Sequence, residues 1–71
     1  MTKAERVILD ILRRQKSAMT RDDIVAIAQT MYKGGRSQLC NTLVHLVASE
    51  TVEMEREYTY RIKEADHTEN T

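Results

Sequence analysis

The stretch GGRSQLCNTLVHLVASE (residues 34–50) contains no acidic side chain before Glu50, although acids and bases balance over the 71-residue chain. Its glycine pair is a strong stop signal, which ends one helix before the next begins. Apolar residues then recur at helical spacing and predict one buried stripe: Leu39, Leu43, Leu46 and Val47. We therefore expect a helix over residues 36–49 whose opposite face, centred on Asn41, has no carboxylate.

Two helices are expected before this stretch. Thr2 and Glu5 have the spacing of a capping box ahead of a helical apolar pattern, which predicts a first helix over Lys3–Gln15. Thr20 precedes two acids and a second apolar pattern, as an N-cap residue does, and predicts a second helix over residues 21–32.

A β-hairpin is expected after the third helix, because the apolar period changes from helical to two. Residues that pair must share a face, which favours Met54 opposite Tyr60 inside and Glu53 opposite Arg61 outside. This register leaves a three-residue loop at positions 56–58. Residues 64–71 have almost nothing to bury, so residues 1–63 are expected to form the domain and residues 64–71 a flexible acidic tail.

The same patterns define a single predicted core. Its members are Val7, Ile8, Ile11, Leu12, Ile24, Ile27, Ala28, Leu39, Leu43, Leu46, Val52, Met54, Tyr60 and Ile62. A chain this short buries a small share of its surface, so a partner or a second copy would add to its stability.

Composition excludes several classes of protein. No apolar run approaches the roughly 20 residues that span a bilayer, and the N-terminal residues do not resemble a secretion signal, so we expect a cytoplasmic protein without a membrane partner. Cys40 is expected to act as a small hydrophobic residue. Cys40 and His45 do not share a helix face, so neither a metal site nor a cofactor is expected.

The charge is distributed unevenly along the chain. Residues 1–49 contain eight basic and four acidic side chains, whereas residues 50–71 contain three basic and seven acidic ones. Such asymmetry can mark a side that faces a polyanion. Chance in a short chain is the alternative explanation.

The order of three helices and a hairpin, with the acid-free third helix, resembles the winged helix-turn-helix domains of small bacterial and phage regulators. The spacing Leu39-x3-Leu43-x2-Leu46-x5-Val52 and the start Arg36-Ser37-Gln38-Leu39 carry the resemblance, and Met19-Thr20 looks like the short edge strand before the second helix. The fold class that it implies is mainly α with a C-terminal hairpin, the wing. Glu50 stands where many such domains have glycine, and the wing carries Glu53, Glu55 and Glu57, whose carboxylates are repelled by phosphates.

The resemblance implies that the third helix reads the major groove of double-stranded DNA while basic residues hold phosphates. Gln38 and Asn41 could pair with adenine, and Arg36 could reach guanine or a phosphate. The candidate nucleic-acid-binding residues are Arg36, Ser37, Gln38, Asn41, Thr42, His45, Lys33, Arg13, Arg14 and Lys16.

The leading hypothesis is therefore a sequence-specific transcriptional regulator that acts as a dimer on DNA. A protein-interaction module with an acidic wing and a DNA-bending accessory factor are the alternatives. A solvated polar helix face without function also fits the pattern. No acid pair, serine–histidine–acid set or phosphate-binding glycine loop is present in the sequence, so we do not expect an enzyme or catalytic residues.

Overall fold

The protein has three helices and a small three-stranded antiparallel sheet, as described by a computed structural model that covers residues 2–15 and 17–63. The elements in chain order are α1 (Lys3–Gln15), β1 (Met19–Thr20), α2 (Arg21–Met31), α3 (Arg36–Ala48), β2 (Val52–Arg56) and β3 (Thr59–Ile62). Strand β3 lies between β1 and β2. The tail predicted over residues 64–71 lies outside the described residues.

The two N-terminal caps form as the sequence predicts. The backbone N–H of Thr2 donates to Glu5 Oε1 at 2.8 Å, and the N–H of Glu5 donates to Thr2 Oγ1 at 3.2 Å. The hydroxyl of Thr20 accepts from the N–H of Asp23 at 3.2 Å. These bonds satisfy donors that the first turns of α1 and α2 would otherwise leave free, which explains why both helices start at the expected residues.

The end of α3 has a left-handed residue that is not glycine. Glu50 has a φ of 64°, its N–H donates to Val47 O, and the N–H of Thr51 donates to Leu46 O, both at 3.0 Å. This is the Schellman arrangement, in which glycine is usual. The helix stops one residue before the predicted end.

The hairpin has the predicted pairs but a different turn. Met54 pairs with Tyr60 and Glu53 with Arg61, as expected, whereas Arg56 pairs with Thr59 and so belongs to β2. The prediction of a three-residue loop was therefore wrong. An irregularity between Met54 and Arg56 absorbs the extra residue.

The core lies between the three helices and the inner face of the sheet. Its buried apolar residues are Ala4, Val7, Ile8, Leu9, Ile11, Leu12, Met19, Ile24, Val25, Ala28, Leu39, Leu43, Leu46, Val52 and Tyr60. Ile27 and Ile62 are only partly buried and pack against this core. Met54 was wrongly expected inside: it is 51% exposed, because it lies on the edge strand β2, which is buried only at Val52, whereas its partner Tyr60 on the central strand β3 is 7% exposed.

Candidate nucleic-acid interface

The outer face of α3 is exposed and has no acidic side chain. Ser37, Asn41, Val44, His45 and Ala48 are all exposed on it. Leu39, Leu43 and Leu46 on the opposite side are at most 2% exposed, so burial of this stripe fixes which side of the helix faces solvent. In residues 2–15 and 17–63, no hydrogen bond engages the side chain of Asn41, which leaves its amide free to donate and accept.

Arg36 is held by a residue of the preceding helix. Its Nη2 donates a hydrogen bond to Oδ1 of Asp22, in the first turn of α2. This hydrogen bond and the positive charge of Arg36 hold the pKa of Asp22 below its ordinary value, and they raise the pKa of Arg36. Arg36 is therefore not a freely moving cation, a restraint that sequence reasoning missed.

Gln38 is held by an aromatic residue. Its Nε2 donates to the phenol oxygen of Tyr32 at 2.9 Å. Gly34 makes this contact possible, because a Cβ there would lie 2.5 Å from Tyr32 Cε2 and 3.0 Å from Gln38 Oε1. The hydrogen bond orients the amide of Gln38 while it leaves the amide oxygen available as an acceptor.

Thr42 does not belong to the exposed face, contrary to the prediction from sequence. It is 9% exposed, and its hydroxyl donates to Gln38 O at 2.8 Å. With 3.6 residues per turn, Thr42 lies about 40° from Leu46 around the helix, on the buried side. Helical geometry thus excludes it from direct contact with a ligand on the outer face.

The predicted phosphate-binding residues lie on three segments. Lys33 is exposed in the connection between α2 and α3, and Arg13 is exposed near the end of α1. Arg14 pairs with Asp10 at 3.2 Å across one turn of α1, which partly neutralises it. Among the described residues, no hydrogen bond or ion pair joins Arg13 or Arg14 to α3, and Lys16 lies outside the described residues.

A cation–π contact joins the turn of the hairpin to the start of α2. The guanidinium of Arg21 lies 4.4 Å from the centre of the Tyr58 ring, and the N–H of Arg21 donates to Tyr58 O at 2.9 Å. Tyr58 has a φ of 56°, a conformation that favours glycine. No local sequence pattern relates these two positions. Their contact places the hairpin turn next to the first turn of α2.

The acids of the hairpin region are only partly neutralised. Glu53 pairs with Arg61 at 2.6 Å, and Glu50 pairs with Lys63 at 3.2 Å. Glu55 and Glu57 are exposed, and no base pairs with either of them in the described part of the chain. The end of the hairpin near its turn is therefore poorly suited to hold phosphates.

Neither a metal centre nor a membrane-spanning helix is found in the described ranges. No group of three or more His, Cys, Asp and Glu side chains is arranged there to hold a metal ion. None of their helices combines the length and apolar character needed to cross a bilayer. Cys40 is partly buried against the core.

Comparisons with protein-family models, with curated proteins and with solved structures found no match to this chain.

Proposed function

We propose that this protein is a non-enzymatic, sequence-specific DNA-binding regulator with a winged helix-turn-helix domain, in which α3 enters the major groove. The observation that carries the proposal is the exposed face of α3, which presents amide, hydroxyl and imidazole groups and no carboxylate. Hydrogen-bonding side chains on a helix are the means by which such domains read base edges. The pairing of β1 with β3 beside the hairpin adds support, since an edge strand before the second helix is part of that fold.

The distribution of roles follows from exposure and pairing. Asn41 and Ser37 would contact base edges, and Val44, which is 63% exposed, would contact a thymine methyl group. Lys33 and Arg13 would contact phosphates, because each is an exposed base with no ion-pair partner in the described ranges. The exposed acids of the hairpin turn keep that turn away from the backbone of the DNA.

A symmetric pair of chains on DNA belongs to the proposal. One recognition helix covers only a few base pairs, and helix-turn-helix proteins commonly double their contacts through two-fold symmetry. Sedimentation of the protein, free and on a selected site, tests this part. A single copy on a full-length site would show that the protein acts as a monomer.

Selection of bound duplexes from a random DNA pool tests the function. We expect enrichment of a defined sequence and an affinity that falls steeply between two salt concentrations, since each neutralised phosphate releases counterions. Lack of enrichment together with a flat salt dependence would contradict the proposal.

A second candidate is a protein-interaction module. The exposed apolar side chains of Val44, Met54 and Tyr58, together with the unpaired hairpin acids, favour it. The measurement of DNA affinity at two salt concentrations distinguishes this module from a DNA-binding regulator, because a module that binds only protein should not bind duplex DNA in a salt-dependent manner.

A further inference from the structure

An ion pair joins the first turns of the two helices that make up the proposed helix-turn-helix. Arg36 is the first residue of α3, and Asp22 is the second residue of α2. Arg36 Nη2 donates to Asp22 Oδ1, while the Nε of Arg21 lies 3.9 Å from the same oxygen, too far for a hydrogen bond. The hydrogen bond and the charge of Arg36 hold the pKa of Asp22 below its ordinary value.

The pair is too exposed to contribute much to folding. The side chain of Asp22 is 72% exposed and that of Arg36 is 52% exposed, and ion pairs in such positions have little effect on stability. Its main consequences are therefore local. It orients a guanidinium at the start of α3, and it places a negative charge beside that guanidinium.

These two consequences affect phosphates and bases differently. A guanidinium has five N–H donors, and the bond to Asp22 uses one of them, so enough remain for the two acceptors on the major-groove edge of guanine. A phosphate is attracted mainly by net charge, and the neighbouring carboxylate repels it. A carboxylate can also accept a hydrogen bond from the amino group of cytosine.

We propose that Asp22 is a specificity-determining residue, which directs Arg36 to a G·C base pair and suppresses its binding to phosphates. The inference rests on the proposed function. It adds the base pair that Arg36 contacts and the residue that directs Arg36 to it. Asp22 was not among the residues expected to bind nucleic acid. It acts through Arg36 and is in that sense a positioning residue.

Two isosteric substitutions test the proposal. Asp22→Asn and Asp23→Asn remove the same charge from the same helix turn, but in the described ranges only Asp22 pairs with Arg36. Both variants should bind random DNA more tightly than the wild type, because both remove a negative charge near the DNA. Only Asp22→Asn should reduce discrimination between the selected site and a site in which one G·C pair is replaced by A·T, by about tenfold.

A third variant identifies the base pair. Arg36→Ala should abolish discrimination at that same G·C pair, and Asp22→Asn should have no additional effect there in the double variant, since the two residues act together. The inference would be overturned if Asp22→Asn and Asp23→Asn discriminated equally well between the selected site and the site with the A·T replacement. It would also be overturned if Arg36→Ala kept the full preference for the G·C pair.

The pKa of Asp22 can be measured without DNA, by following the NMR signal of its carboxyl carbon as the pH is changed. The pKa of Asp22 should rise toward its ordinary value in Arg36→Ala, because that substitution removes both the hydrogen bond and the charge. An unchanged pKa would show that the pair does not form. If the wild type selects no DNA, the proposed function and this inference fail together; if it selects DNA but the Asp22 and Asp23 variants agree, the inference alone fails.

Discussion

The phenol oxygen of Tyr32 accepts a hydrogen bond of 2.9 Å from the side-chain nitrogen of Gln38. The bond spans the connection between α2 and α3, and the Tyr32 ring packs closely against Gly34, next to the core. The exposed side chain of Gln38, in the first turn of α3, is thus oriented by a residue at the end of α2. Steric space at one glycine decides whether this orientation is possible.

Gly34→Ala should destabilise the protein. The new Cβ would lie 2.5 Å from Tyr32 Cε2, so the ring must shift and its hydrogen bond to Gln38 is disturbed. Overpacking of this kind typically costs about 1–3 kcal/mol. Gly35→Ser is the control, since nothing lies within 4 Å of a Cβ there, its φ of −75° suits any residue, and serine is favoured at the N-cap position that Gly35 occupies. Equal midpoints of chemical denaturation for the two variants would contradict the packing argument.

Glu50→Gly should stabilise the protein. A left-handed conformation costs an ordinary residue roughly 1–2 kcal/mol, and glycine removes this cost. Glycine also makes the unfolded chain more flexible, which lowers the free energy of unfolding by about 0.4–1 kcal/mol. We expect a net gain of about 1 kcal/mol in the free energy of unfolding. The ion pair with Lys63 that is lost is exposed and contributes little.

Glu50→Gln separates these two effects, because it removes the charge but keeps a side chain at a φ of 64°. Its stability should stay within about 0.5 kcal/mol of the wild type. A gain as large as that of Glu50→Gly would assign the effect to charge and not to backbone conformation.

Leu43→Ala should cost roughly 2–5 kcal/mol, because the side chain is 1% exposed and its removal leaves a cavity between α3 and the rest of the core. Val44→Ala, one position along the same helix, should change stability by less than about 0.5 kcal/mol, since Val44 is 63% exposed. Thermal or urea denaturation measures both. The reverse order would mean that α3 packs with its other face inward.

Asn41→Ala should weaken binding to the selected DNA site by about 1–3 kcal/mol and affect random DNA much less, because a base contact carries sequence information. Lys33→Ala and Arg13→Ala should instead weaken binding to all DNA alike and reduce the salt slope by about one unit each. Fluorescence anisotropy at several salt concentrations distinguishes these patterns. If Asn41→Ala leaves affinity and site preference intact while a hairpin substitution abolishes binding, α3 is not the recognition element.

Local interactions made much of the fold predictable. The caps at Thr2 and Thr20 depend on residues three positions away, and the hairpin register follows from the requirement that paired side chains share a face. The exposed face of α3 was predictable for the same reason, since helical periodicity is a property of the sequence. That periodicity also places Thr42 on the buried side of α3, so the low exposure of Thr42 could have been predicted from the sequence.

Only the tertiary structure showed which side chains form ion pairs or ring contacts with residues far away in the sequence. Asp22 and Arg36 are 14 positions apart, and the Arg21–Tyr58 contact joins the start of α2 to the hairpin turn. Such pairs depend on how helices and strands pack, which no local period encodes. The exposure of Met54 has the same origin: alternation assigns it to the inner face of the hairpin, but only packing determines how far the helices cover that face.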